Sequence, residues 1–180
     1  FDLGPQILSL NKFIKRTREG KEKTSNLLYF KGEADIEKTG AMTEVLDPGQ
    51  DLLVQVAKEP IGSKGPRLTA DVTLPGRFLV LVPFSDKVNL SSKLRNEKEK
   101  KRLKSLINSI RPPGFGIIVR TVAEGKRSAD LHSDLSDLMK RWDELYKGLK
   151  RAKPGKRILG ELNKTSTVLR DVLRPECEQI

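Results

Sequence analysis

One cysteine, Cys177, and one histidine, His132, stand in a chain of 180 residues. The lone cysteine excludes an internal disulfide framework and suits a reducing, cytoplasmic setting. With one residue of each kind, the chain alone cannot build a His/Cys zinc site. A Ser-His-Asp triad would have to use His132, which falls on a predicted helix face among Asp and Ser and is set aside. Aromatic residues reach only 5%, which gives no support to a base-stacking platform of the RRM type. No run approaches the ~18 apolar residues of a membrane span. The opening residues lack the basic–apolar–small pattern of a secretory signal. Hydrophobic residues make up 36%, a low share for a globular chain, and 180 residues are enough for one ordinary domain or two small ones.

Charge is abundant instead. Lys and Arg number 35 against 24 Asp and Glu, for a net charge of +11. The excess is uneven. Residues 1–50 carry 8 basic and 8 acidic side chains, residues 51–120 carry 14 and 6, and residues 121–180 carry 13 and 10. The middle of the chain therefore holds most of the positive field, and such a field attracts polyanions. Nucleic acid is the first partner to consider; a surface that is merely lysine-rich and solvated is the other reading. The chain opens Phe1-Asp2-Leu3 and ends Glu178-Gln179-Ile180 just after an amphipathic run. It is expected to be a segment of a longer protein.

Residues 11–50 are polar and interrupted by Gly20, Gly32, Gly40 and Pro48-Gly49, with six basic residues between Asn11 and Lys23. This composition predicts a long, mobile loop. Asp51–Glu59 and Arg67–Leu74 alternate apolar and polar residues around the Gly- and Lys-rich stretch Pro60–Pro66, which predicts a β-hairpin. Arg77–Val82 is continuously apolar after its arginine, as in a strand buried on both faces. Asn96 offers a helix cap with Glu99 as its capping-box partner. Leu103, Leu106, Ile107 and Ile110 form that helix's stripe, and Pro112-Pro113-Gly114 stops it. Phe115–Thr121 is a further strand. From Ser128 to Lys150, Leu131, Leu135, Leu138, Trp142, Leu145 and Leu149 recur in steps of four and three. That seam fits a helix packed on the sheet, or a helix–helix contact with a partner. A short helix is expected over Thr165–Leu173. The middle of the chain is thus α+β, in the order hairpin, strand, helix, strand, helix.

Few residues suggest chemistry. Lys64 lies between Gly62 and Gly65 at the hairpin tip. The spacing is not that of a P-loop, but a lysine displayed there can reach a phosphate, and a simple flexible tip is the alternative. Arg120-Thr121 ends an apolar strand, so a guanidinium is held on a fixed backbone, ready either for a phosphate or for a carboxylate partner. Asp130, Asp134 and Asp137 share a helix face at steps of four and three, and a solvated acidic face is expected there rather than a cation site. No catalytic centre is evident.

Three stretches carry a resemblance: KEPIGSKGPRLTADVTLPGRFLVLVP over 58–83, GFGIIVRTVAEG over 114–125 and LSDLMKRWDELYK over 135–147. In order and spacing they resemble the ribonuclease E/G family of bacterial endoribonucleases, and the opening FDLGPQ with its basic insertion is similar to the Bacteroidetes branch. The resemblance implies a partial OB-type β-barrel with a long basic loop over residues 1–71. It implies a compact strand-helix-strand-helix 5′ sensor domain over 72–165, and the start of an RNase H-like domain over 166–180. It implies that Lys64 contacts RNA. It also implies that Gly76, Val80, Lys93, Arg120 and Thr121 line a pocket for a 5′-monophosphate.

The partner so implied is single-stranded RNA, preferably 5′-monophosphorylated, bound as part of RNA processing and decay. The family's magnesium carboxylates and zinc-link cysteines would lie beyond Ile180, as would the elements of any homo-oligomer. This chain would then hold no catalytic residue, need no cofactor of its own and be inactive alone. Cys177 matches no zinc-link cysteine. A stand-alone, non-catalytic RNA-binding module is the alternative. The OB-type strands that would precede Phe1 would leave Asp51–Glu59 as an open edge.

Overall fold

A computed structural model describes residues 1–37 and 39–160. The short helix expected over Thr165–Leu173, the RNase H-like start over 166–180 and Cys177 lie outside the described residues. Three helices and two sheets make the fold α+β, and no barrel closes among the described residues.

The predicted hairpin forms as β1 (Gln55–Lys58) and β2 (Arg67–Thr69), paired antiparallel with a register irregularity between Val56 and Lys58. Both strands are shorter than the alternation suggested. After β2 the Thr69 hydroxyl accepts from the Asp71 backbone N–H at 3.0 Å, a local turn that stops the strand. The Gln55 side chain then stands in for a strand partner. It accepts from the Thr73 N–H at 2.9 Å and donates to the Thr73 carbonyl at 3.1 Å. On its other side β2 is flanked by Asp2, which bridges to Thr69. Among the described residues, β1 pairs only with β2.

The second sheet has four strands: β3 (Leu74–Pro75), β4 (Leu79–Pro83), β5 (Val88–Leu90) and β6 (Phe115–Val119), in the spatial order β3-β4-β6-β5. β4 and β6 run antiparallel, while β5 and β6 run parallel, joined through a helix. The strand expected to be buried on both faces is not: Leu79 and Leu81 are fully buried, whereas Val80 and Val82 are half-buried on the opposite face. After β4, Phe84 adopts a positive φ of 62° while its ring packs against Phe13, Phe30 and Trp142. The surrounding aromatic contacts hold this disfavoured backbone in place.

Helix α2 (Glu97–Ile110) starts where expected: the Asn96 side chain accepts from the N–H groups of Lys98 and Glu99. The reciprocal half of the capping box does not form. Glu99 turns instead to Arg102 and to the N–H of Gly125. At the stop signal Gly114 has φ +79°, and a Cβ there would meet the Leu27 side chain at 2.6 Å. The long helix α3 (Ser128–Leu149) buries all six residues of its seam, packed on β3 and β4. The partner-helix reading of that seam is therefore corrected, because Leu138 and Trp142 lie inside the core.

The largest departure is at the start. Residues 7–18, expected in part as mobile loop, form helix α1 (Ile7–Arg18), which packs on α3. Ile7, Leu10, Phe13 and Ile14 are buried. Phe13 touches Phe30, Phe84, Trp142 and Tyr146. The loop that follows is tied to α3 by Trp142, whose indole N–H donates to the Ser25 carbonyl at 2.7 Å, and by Tyr146, whose hydroxyl donates to the Glu22 carbonyl at 2.9 Å. Among the described residues from 19 to 54, only a 3-10 turn over Met42–Glu44 is regular, as the polar composition leads one to expect.

Candidate functional site

The end of β6 delivers Arg120 to one end of the four-stranded sheet. Its backbone N–H donates to the Phe78 carbonyl at 2.8 Å, and its guanidinium Nη1 donates to the Gly76 carbonyl at 2.8 Å. Strand alternation sets Val80, Ile118 and Arg120 on the face turned away from Leu79, Leu81 and Val119. Thr121 begins a 3-10 turn, and its hydroxyl lies 3.0 Å from the hydroxyl of Ser91. Ser91 also accepts the Lys93 N–H at 3.3 Å and donates its own N–H to the Val119 carbonyl at 2.9 Å. Hydrogen bonds thus join Gly76 to Arg120 and, separately, Thr121 through Ser91 to the backbone of Lys93, with Val80 in the adjacent strand.

The turn that presents Gly76 is organised by Asp134 of α3. Its carboxylate accepts from the backbone N–H groups of Arg77, Phe78 and Leu79, each at 2.9 Å. Gly76 is buried, and a Cβ there would come within 2.7 Å of Asp134 Oδ2, so the close approach requires glycine. Arg141, two helical turns on from Asp134, donates to the Pro75 carbonyl at 3.0 Å. The expectation of a solvated Asp130–Asp134–Asp137 face is corrected for Asp134. Asp130 pairs with Arg127, and Asp137 with Lys140. Asp134 and Ser91 are the residues that sequence reasoning missed. For Asp134 the available signal was the glycine in LPGRFLV, whose neighbour could not be named from the sequence.

The loop after Thr121 is held by Glu99. Its hydrogen bonds from Arg102 and then from the Gly125 N–H hold its carboxyl down to about 2. Arg102 in turn donates to the Lys126 carbonyl at 3.0 Å. The first turns of α2 are therefore bound to the segment that follows Arg120-Thr121.

Lys64 is elsewhere. It sits exposed at the tip of the β1–β2 hairpin, where Ile61 and Lys64 exchange backbone hydrogen bonds at 3.0 and 3.1 Å. No hydrogen bond among the described residues links that tip to the Arg120 cluster. A group of three or more His, Cys, Asp or Glu able to hold a metal ion does not occur among the described residues. No helix among them is long and apolar enough to cross a membrane.

A model of the ribonuclease E/G family matches residues 73–180. The chain is similar to the "Ribonuclease E" of Nostoc sp., at 41% identity over 140 residues, which is 78% of this chain and 20% of that protein. It is similar to the "Ribonuclease E" of Synechocystis sp., at 47% identity over 104 residues, 58% of this chain and 15% of that protein. With the "Ribonuclease G" of Escherichia coli strain K12 it shares 40% identity over 139 residues, 77% of this chain and 28% of that protein. The chain thus spans well under a third of the length of these relatives.

Proposed function

The chain belongs to the ribonuclease E/G family, and from that premise we propose that it is the RNA-binding, 5′-end-sensing segment of a single-strand-specific endoribonuclease. The cluster of Gly76, Val80, Lys93, Arg120 and Thr121 receives a 5′-monophosphate, and Lys64 contacts the RNA chain from the hairpin tip. The observation that carries this reading is Arg120, a guanidinium anchored by the Gly76 carbonyl at a sheet end and followed in the chain by Thr121. A planar guanidinium matches a phosphate's oxygens in a bidentate, charge-assisted way, and a neighbouring hydroxyl adds a donor. Anchoring the arginine beforehand lowers the ordering cost of binding.

The binding energy so gained orients RNA and breaks no bond. Cleavage belongs to the rest of the longer protein, where magnesium would supply the hydrolytic chemistry. Net positive charge between residues 51 and 120 steers the polyanion toward the site.

The test is the affinity of the chain for one short single-stranded RNA carrying either a 5′-monophosphate or a 5′-hydroxyl. Charge-assisted hydrogen bonds contribute about 1.5–3 kcal/mol each, so the phosphorylated form should bind about tenfold or more tighter. Arg120→Gln should remove that preference and leave the hydroxyl form unaffected. Equal, salt-sensitive binding of both forms, unchanged by the substitution, would reduce the site to a basic surface.

A further inference from the structure

Helix α2 leaves the candidate site with its first turns bound to the Gly125–Lys126 segment and its N-cap five residues past Ser91. Leu103 and Ile107 are fully buried on one side of it. The opposite side carries Lys98 and Lys101, with Ser105 and Asn108 beside them, and Lys104 stands at its flank; all five are exposed. At 100° per residue Lys98, Lys101, Ser105 and Asn108 lie within about 60° of the direction opposite Leu103 and Ile107, and Lys104 borders that arc. Glu97 lies on the same side but is paired with Lys100, and Glu99 is paired with Arg102. Among the described residues, no carboxylate lies in ion-pair range of Lys98, Lys101 or Lys104. Exposed Lys93 and Arg95 continue the positive stripe back to Ser91 and Thr121.

We propose that this face of α2 is a track for the RNA backbone, carrying the nucleotides that follow the 5′ end away from the Arg120 cluster. Three features fit contact with the phosphates of a nucleic-acid backbone. The lysines are spaced along about 9 Å of helix, they are mobile point charges rather than a shaped pocket, and no aromatic side chain lies among them. Contacts of this kind position a strand without reading its sequence. The inference rests on the reading of the cluster as the seat of the 5′ end, and it adds the direction in which the strand leaves.

The test uses the full 180-residue chain and two RNAs, a dinucleotide and an oligomer of about twelve nucleotides, each with a 5′-monophosphate or a 5′-hydroxyl. The variant is Lys98→Gln/Lys101→Gln/Lys104→Gln. Glutamine keeps the helix propensity of lysine, and circular dichroism checks the fold. A second triple, Lys140→Gln/Lys153→Gln/Lys156→Gln, removes the same charge elsewhere on the surface. The α2 triple should weaken the oligomer roughly tenfold at low salt and lower the salt slope by about 2, at about 0.7 per phosphate on a single strand. It should leave the dinucleotide and its monophosphate preference unchanged. The track is overturned if the oligomer binds the α2 triple as it binds the parent chain, or if the second triple weakens it equally. A parent chain that binds the phosphorylated and hydroxyl dinucleotides alike overturns the end-binding reading, and the origin of the track falls with it.

Discussion

The Asp134 carboxylate accepts three consecutive backbone N–H groups at 2.9 Å, and those groups belong to a turn more than fifty residues away in the chain. Helical spacing alone suggests solvent for that position, because periodicity assigns a face and cannot say which loop covers it. Arg120 and Thr121, by contrast, were legible as the polar end of an apolar strand. Asp134→Ala would leave three N–H groups to find other partners and should cost about 2–3 kcal/mol in urea unfolding. It should also lower the monophosphate preference although Arg120 is intact. A variant as stable and as selective as the parent would show that the turn holds itself. Glu99 sets a pH dependence. Its carboxyl is held down to about 2, below the ordinary glutamate value, so the ionised form is favoured in the fold. The stability it contributes is complete above about pH 4.5 and is lost as the pH falls toward 2. Glu99→Gln should flatten the acid limb of the stability curve between those limits, and an unchanged limb would assign the acid loss to other carboxylates.

At the scale of elements, α2 and α3 were readable because their apolar residues recur at helical steps against a polar background. The Asn96 cap fixes the start of α2, and the α3 seam runs for nearly three heptads without interruption. Helix α1 was hidden by its own charge. Lys12, Lys15, Arg16 and Arg18 crowd its middle and end, while Ile7, Leu10, Phe13 and Ile14 form a buried stripe of only four residues. The stripe is stabilised by what it meets, an aromatic group gathered from Phe30, Phe84, Trp142 and Tyr146, and no local pattern announces that meeting. Phe13→Ala should therefore cost about 3–5 kcal/mol, far more than a side chain in a mobile loop could. Thermal unfolding followed by Trp142 fluorescence would measure it, and a loss below about 1 kcal/mol would mean that α1 is not docked. The hairpin shows the reverse case. Alternation located both strands but overstated their length, because the Thr69 hydroxyl ends β2 through a local hydrogen bond.

Across the whole molecule, residues on both sides of position 71 share one hydrophobic core, from Leu10 and Phe13 to Leu145 and Leu149. That core holds β4, β6 and α3 in fixed relation, and the Arg120 cluster stands at one end of the assembly. In the proposed function, charge is arranged on a rigid frame: the net +11 would draw RNA and the anchored guanidinium of Arg120 would select its end. The most direct measurement of that claim is an amide NMR titration of the 180-residue chain with a short RNA bearing a 5′-monophosphate, paired with the same RNA bearing a 5′-hydroxyl. The account predicts that the signals of Gly76, Arg120 and Thr121 move with the phosphorylated RNA and stay in place with its hydroxyl twin. Identical shifts for the two RNAs, or shifts confined to residues away from the cluster, would contradict it.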